Sequence, residues 1–79
     1  MRLENSELRA FRAVIEEGGF KRAADALHLS QSAVSQAVAG LEFKLEAPLV
    51  QRGKELRLTD VGRRLFEHAV DVLRGEQQI

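Results

Sequence analysis

Four uncharged hydrogen-bonding residues fall close together in the middle of the chain: Gln31, Ser32, Ser35 and Gln36. Amide and hydroxyl groups donate and accept hydrogen bonds without carrying charge, so the chemistry they offer is recognition of another hydrogen-bonding surface. For any one of them alone, a capped or solvated helix start is the more common explanation. As a set, however, they would share one face of a helix, away from Val34, Val38 and Leu41, and no acidic residue interrupts them. We call these four residues the polar face.

Other kinds of chemistry lack the residues that they require. His28 and His68 are the only histidines, and neither has acidic or cysteine partners at the spacing of a metal site. The absence of cysteine removes disulfides, thiolate ligands and cysteine nucleophiles. The chain also has no glycine-rich elbow that could support a catalytic serine. We therefore expect no metal, no cofactor and no enzymatic activity.

The charge of the chain is balanced overall but uneven locally. Twelve basic and twelve acidic residues give a formal net charge of zero. Between residues 21 and 64, basic residues outnumber acidic ones; they are Lys21, Arg22, Lys44, Arg52, Lys54, Arg57, Arg63 and Arg64. Local clustering, not total charge, determines whether a surface attracts phosphates. The middle of the chain could therefore contact a polyanion.

The length of 79 residues allows one modest hydrophobic core, whose stability would benefit from dimerisation. No apolar stretch approaches the roughly 20 residues of a membrane span. Arg2, Glu4 and Glu7 interrupt the start of the chain in a way that is not typical of a signal peptide. We expect a soluble, cytoplasmic protein.

The spacing of apolar residues predicts four helices, over Ser6–Glu17, Phe20–Leu27, Gln31–Leu45 and a last stretch that follows Thr59. Asn5, Ser30 and Thr59 are predicted to cap the first, third and fourth helices. The pair Gly18 and Gly19 is predicted to end the first helix.

Between the third and fourth helices, the chain changes pattern. Leu49–Gln51 and Leu56–Leu58 are short, partly alternating stretches on either side of Gly53-Lys54-Glu55, which predicts a small hairpin. Two short helices joined by a tight turn at His28 and Leu29 have the geometry in which the second helix enters the DNA major groove and presents its first residues to the bases. The polar face stands at that position, so the pattern favours sequence-specific DNA binding.

The chain resembles the N-terminal domain of LysR-type transcriptional regulators over nearly its whole length. The matching stretches are Leu8 to Phe11, Gly19 to Ala24, Leu27 to Ser35, Val38, Leu41-Glu42, Leu45, Leu49, Arg52, Leu58-Thr59 and Gly62. The sequence departs from that family where Glu46 replaces a usual glycine and Ala39 a frequent basic residue. Ser32 and Val50 are further departures, at positions where proline and phenylalanine are common.

The resemblance implies a mainly α winged helix-turn-helix with a three-helix core, a β-hairpin wing and a long C-terminal helix. Gln31–Leu45 would be the recognition helix, and the wing near Arg52 would reach the minor groove. Residues 1–58 would form the DNA-binding domain, and residues 59–79 the linker and dimerisation helix. Members of the family usually carry a separate effector domain, so we expect this chain to be the DNA-binding part of a longer regulator.

The candidate DNA contacts are Lys21, Arg22, Ser30, Gln31, Ser32, Ser35, Gln36, Arg52 and Lys54. The candidate dimer contacts are Leu65, Phe66, Ala69, Val70, Val72 and Leu73, because this apolar band is wider than a small core should need. Each set also has an explanation that involves no binding partner. The basic residues could be solvated surface residues or could prevent aggregation through the edge strands, and the apolar band could cover the core of the chain itself. A rival for the whole chain is a winged-helix module that docks a protein, consistent with the zero net charge.

Overall fold

Four helices and a two-stranded hairpin follow one another in the computed structural model, which describes the backbone of residues 2–77 and the side chains of residues 2–74. The elements are α1 Asn5–Glu17, α2 Phe20–Leu27, α3 Gln31–Leu45, β1 Val50–Gln51, β2 Arg57–Leu58 and α4 Asp60–Gln77. The predicted mainly α winged helix-turn-helix is confirmed. None of the helices described has the length and apolar character needed to span a bilayer.

Helix α1 begins one residue earlier than predicted. Glu4 is its N-cap, and the Glu7 carboxylate accepts a hydrogen bond of 3.0 Å from the Glu4 backbone N–H. The prediction that Asn5 caps this helix is therefore wrong, because the reciprocal Glu4–Glu7 arrangement competes successfully with a single asparagine cap. The helix ends as predicted at Gly18, whose φ of 83° is a left-handed conformation that suits glycine.

The turn between α2 and α3 is short and well capped. His28 ends α2 in the left-handed region, with a φ of 58°, and the Leu29 N–H donates to the Ala24 carbonyl at 2.9 Å. The Ser30 hydroxyl accepts a bond of 3.0 Å from the Ala33 N–H, which confirms the predicted cap of α3. Both helix ends are thus satisfied within a few residues, and this defines the angle at which α3 leaves α2.

Side chains from all four helices meet in one core. Phe11 and Val14 of α1 are fully buried, as is Val38 of α3, and Ala23 and Ala24 bring α2 close to its neighbours. The Phe11 ring meets Phe66 of α4 edge to face, with ring centroids 6.4 Å apart. The core therefore anchors α3 on its apolar side only.

The hairpin is antiparallel, with Val50 opposite Leu58 and Gln51 opposite Arg57. Each strand is one residue shorter than predicted. The Leu49 N–H donates to Glu42 Oε2 at 2.8 Å instead of to the opposite strand, whereas the Leu49 carbonyl accepts from the Thr59 N–H at 3.1 Å, in register with the hairpin. Thr59 caps α4 as predicted, since its hydroxyl accepts from the Gly62 N–H at 3.0 Å.

Three of the residues predicted for dimerisation lie in the core of the chain itself. Leu65, Ala69 and Leu73 are 7%, 0% and 3% exposed, because α4 packs one side against α1. Phe66, Val70 and Val72 are half-buried. The six residues therefore do not form one exposed band, and any partner would meet a narrower strip of α4.

Candidate nucleic-acid interface

The polar face lies at the start of α3, on its solvent side. Gln31, Ser32 and Gln36 are exposed and Ser35 is half-buried, whereas Val34 on the opposite side is completely buried. None of the four polar side chains makes a hydrogen bond to another described residue. Their donors and acceptors are therefore available to a ligand, and they sit on a rigid element because the apolar side of α3 is fixed in the core.

Ser30 differs from the polar face that follows it. Its oxygen is occupied by the Ala33 N–H, so its first role is to cap α3. The Ser30 residue is nevertheless exposed to solvent. The first turns of α2 and α3 contain no acidic residue, so the positive end of each helix dipole is not neutralised there by an acidic side chain of its own first turn.

Lys21 and Arg22 occupy the first turn of α2. Both are exposed, and neither forms an ion pair with any residue that the structure describes. Lys54, at the tip of the hairpin, is likewise exposed and has no ion pair with the side chains described, those of residues 2–74. These three cations are thus free to contact an anionic ligand.

Arg52 joins the hairpin to α2. Its guanidinium carbon lies over the Phe20 ring, 4.2 Å from the ring centroid, which is a cation–π contact between the wing and the first residue of α2. The structure therefore brings together two groups of candidate residues that are far apart in sequence. Phe20 was not among the predicted site residues, although an aromatic beside two basic residues is a signal that could have drawn attention to it.

Lys44 is not part of the free basic surface. Its Nζ lies 2.6 Å from Glu7 Oε1 and 2.9 Å from the Arg2 carbonyl oxygen. Gly40 leaves space for this pair, since a Cβ there would lie 2.6 Å from Glu7 Oε2. The inclusion of Lys44 in a phosphate-attracting cluster is therefore corrected, because the ammonium is already paired within the chain.

The pKa of Glu7 reflects this pairing. Partial burial by itself raises the pKa of the carboxyl, but the hydrogen bond from Lys44, the Glu4 backbone N–H and the positive charge of Lys44 together outweigh it. The pKa of Glu7 therefore lies below its ordinary value, and the ionised carboxylate holds α1 and α3 together.

Phe43 projects from α3 into solvent and is 84% exposed. It does not belong to the apolar stripe of Val34, Val38, Leu41 and Leu45, so its position off that stripe could have predicted its exposure. A large apolar residue at such exposure contributes little to the core.

The structure combines a short α2, a tight turn, an α3 anchored in the core with its polar face toward solvent, and a basic hairpin. This arrangement defines the class of winged helix-turn-helix proteins. The sequence pattern of bacterial regulatory helix-turn-helix proteins of the LysR family matches residues 6–63. The chain belongs to the LysR family, which confirms the resemblance stated above.

Individual relatives agree with this assignment. The chain is 49% identical to the transcriptional regulator ArgP of Pseudomonas aeruginosa over 73 residues, which are 90% of this chain and 24% of ArgP. The DNA-binding domain (DBD) of BenM, in a crystal structure with catB site 1 DNA, is 34% identical in sequence to this chain. The two structures align with a TM-score of 0.90 over 95% of this chain and 84% of that one. Full-length OxyR of Pseudomonas aeruginosa is 35% identical, with a TM-score of 0.89 over 96% of this chain and 26% of OxyR. This chain spans about a quarter of the length of ArgP.

Proposed function

We propose that this chain is the sequence-specific DNA-binding part of a LysR-family transcriptional regulator. The observation that carries the proposal is the polar face of α3, which is uncharged, has three exposed residues and one half-buried residue, and lies opposite a buried face. A glutamine can bond an adenine through two atoms, and a serine can donate or accept, so these residues suit the base edges of the major groove. The BenM structure, a complex between a similar domain and DNA, supports DNA binding by this chain.

Contacts to the DNA backbone would come from the cations around α2 and the hairpin. Lys21 and Arg22 stand where the positive end of α2 would approach a phosphate. Arg52 and Lys54 extend from the wing, where an arginine can respond to the negative potential of a narrow minor groove. These contacts would strengthen binding to every sequence, whereas the polar face would discriminate between sequences.

A homodimer would place two copies of α3 in successive major grooves, about 34 Å apart on one face of the duplex. The half-buried Phe66, Val70 and Val72 of α4 are the residues available for this pairing. Residues 1–58 would bind the DNA, and residues 59–79 would link and pair the copies. In the whole regulator, an effector domain would follow.

This role requires no catalysis and no cofactor. Binding without chemistry is consistent with a LysR-family fold whose candidate residues are amides, hydroxyls and cations. A regulator of bacterial genes acts where the chromosome is, so we place the protein in the cytoplasm.

The proposal is tested by selecting bound duplexes from a random DNA pool with the wild-type chain and with Gln36→Ala. The wild type should enrich an imperfect palindrome, and Gln36→Ala should lose preference at one base position of each half-site, at a cost of about 1 to 3 kcal/mol. The exposed His68 on α4 provides the control, since His68→Ala should select the wild-type sequence. Failure of the wild type to enrich any sequence would contradict the proposal.

A complementary titration separates base reading from backbone binding. Arg52→Ala should weaken binding to specific and unrelated duplexes alike and should reduce the slope of log affinity against log salt by about 1. An Arg52→Ala variant with an unchanged salt slope would remove the wing from the proposed interface.

A protein-docking module is the second candidate, and the exposure of Phe43 is the observation that favours it. An exposed aromatic side chain is a common anchor at protein interfaces. The two candidates are distinguished by whether the isolated chain retards duplex DNA in a salt-dependent manner, since a docking module would not.

A further inference from the structure

The contact between Arg52 and Phe20 crosses from the wing to α2. Arg52 is exposed at the end of the short strand β1, in a hairpin with only two residues in each strand. Such a hairpin has little cooperative structure of its own to hold a long side chain in place. The Phe20 ring, 4.2 Å from the guanidinium carbon, is the one aromatic group that contacts this arginine among the described residues.

We infer that Phe20 is a positioning residue for DNA binding: its ring holds the Arg52 guanidinium in place against the start of α2 before DNA arrives. This inference rests on the proposed function, because the arginine that Phe20 positions is a proposed DNA contact. Holding the side chain in advance would reduce the conformational entropy lost on binding.

The contact leaves the arginine able to bind. Arg52 has no hydrogen bond and no ion pair among the side chains of residues 2–74, so its charge is oriented without being neutralised. A carboxylate partner would have oriented the guanidinium equally well but would have cancelled its charge. An aromatic ring attracts the cation through its quadrupole and accepts no conventional hydrogen bond, so the N–H donors remain for an acceptor on the ligand.

The position of the ring also holds Arg52 at the residue that immediately precedes two other cations in the sequence. Phe20 is the first residue of α2, and Lys21 and Arg22 follow it directly. The wing arginine is therefore held beside the basic first turn of α2, and the three cations can approach neighbouring parts of one DNA backbone. Repulsion between the positive charges opposes such a grouping, and the attraction between the Phe20 ring and Arg52 counteracts this repulsion.

Phe20 also packs partly against the hydrophobic core, so its substitution must separate packing from positioning. Phe20→Leu retains an apolar side chain and removes the π-face, whereas Phe20→Tyr retains the face. A double-mutant cycle with Arg52→Ala then measures the coupling between ring and cation in DNA affinity. Arg57→Ala provides the matched control, because Arg57 is an exposed arginine of the same hairpin with no side-chain partner among the described residues.

We expect Phe20→Leu to lower the affinity for the selected duplex about two- to fivefold, as an exposed cation–π contact would. Phe20→Tyr should bind the selected duplex with the wild-type affinity. In the Arg52→Ala background, Phe20→Leu should cause no further loss, whereas in the Arg57→Ala background it should cause its full loss. Equal losses in all three backgrounds would overturn the inference.

A second measurement needs no DNA. In the free protein, the ring current of Phe20 should shift the NMR resonances of the Arg52 side chain upfield, and this shift should disappear in Phe20→Leu and persist in Phe20→Tyr. Arg52 resonances that do not respond to either substitution would overturn the inference even if Phe20→Leu binds weakly through lost stability. A third outcome is that the wild-type protein shows the ring-current shift but Arg52→Ala binds DNA with the wild-type affinity. The proposed contact between the wing and DNA would then fail. The inference would be overturned as well, because Arg52 would have no role in DNA binding for Phe20 to support.

Discussion

At the scale of single residues, Glu7 shows how one carboxylate can stabilise several parts of a small domain. It accepts the Glu4 backbone N–H at the start of α1 and pairs with Lys44 near the end of α3. The Glu7 side chain is 16% exposed and that of Lys44 28% exposed, so water screens this pair less than a surface ion pair. The sequence placed Glu7 in a helix first turn, and the tertiary structure added its partner from a distant helix.

The stability of the fold should therefore depend on the ionisation of Glu7. Because its pKa is lower in the folded chain, its stabilising contribution is fully present above the ordinary glutamate pKa of about 4.3 and is lost as the pH falls through the folded value. Glu7→Gln should lower the free energy of unfolding at pH 7 and reduce its further decline on acidification. Urea unfolding at several pH values measures both effects. The exposed Glu55 provides a control, since Glu55→Gln should keep the wild-type pH dependence.

Glu46 is a residue in a conformation that glycine adopts more easily. It ends α3 with a φ of 53°, at the position where the LysR resemblance had indicated a usual glycine. Glu46→Gly should stabilise the chain by about 0.5 to 1 kcal/mol, since relief of left-handed strain exceeds the added flexibility of the unfolded chain. Thermal or urea denaturation measures the change. Ala39→Gly, in the exposed interior of the same helix, should instead destabilise by about 1 kcal/mol.

At the scale of elements, α3 acts as a rigid support whose two sides have different tasks. Val34, Val38 and Leu41 are completely buried, and the polar face lies away from them. Since the two sides share one backbone, the packing of the apolar side fixes the direction of the polar one. The capped turn at Ser30 then fixes where this face begins.

The junction between the hairpin and α4 depends on the absence of a side chain at Gly62. A Cβ on Gly62 would lie 2.0 Å from the Leu49 carbonyl oxygen, and that oxygen belongs to the backbone. Gly62→Ala should therefore force the junction apart and cost about 1 to 3 kcal/mol of the free energy of unfolding. Gly53→Ala is the matched control, since a Cβ there meets nothing within 4 Å. Equal stability of the two variants in urea unfolding would show that α4 does not press against Leu49.

At the scale of the whole molecule, the assembly proposed for DNA binding depends on a narrow strip of α4. Leu65, Ala69 and Leu73 are committed to the core, so Phe66, Val70 and Val72 remain for a second copy. Of these, Phe66 and Val72 also pack against the core, whereas Val70 does not. Val70 is thus the position at which pairing can be disturbed with least effect on the protomer.

Val70→Glu should shift the chain from dimer to monomer, because pairing would place two like charges near each other and out of water. Sedimentation equilibrium measures the shift, and unchanged circular dichroism and melting would show that the protomer still folds. Leu73→Glu should by contrast unfold the chain, since Leu73 is buried within one copy. A Val70→Glu variant that dimerises like the wild type would exclude this strip as the contact.

Much of the fold was determined by the sequence itself. Apolar spacing predicted α2 and α3 with the bounds that the structure has, and Ser30 and Thr59 predicted two helix starts. These signals act over a few residues, because capping and helical periodicity depend on the local backbone. The family resemblance added the winged helix-turn-helix, in which the polar face had a purpose.

The tertiary structure alone decided which long side chains are free and which are occupied. Lys44 and Arg52 looked alike as basic residues, yet one pairs with Glu7, 37 positions away, and the other lies over Phe20. The apolar residues of α4 also looked alike, yet half of the predicted dimer set is buried in the core. Such contacts depend on the angles and distances at which separate elements pack, and no pattern within a single element specifies them.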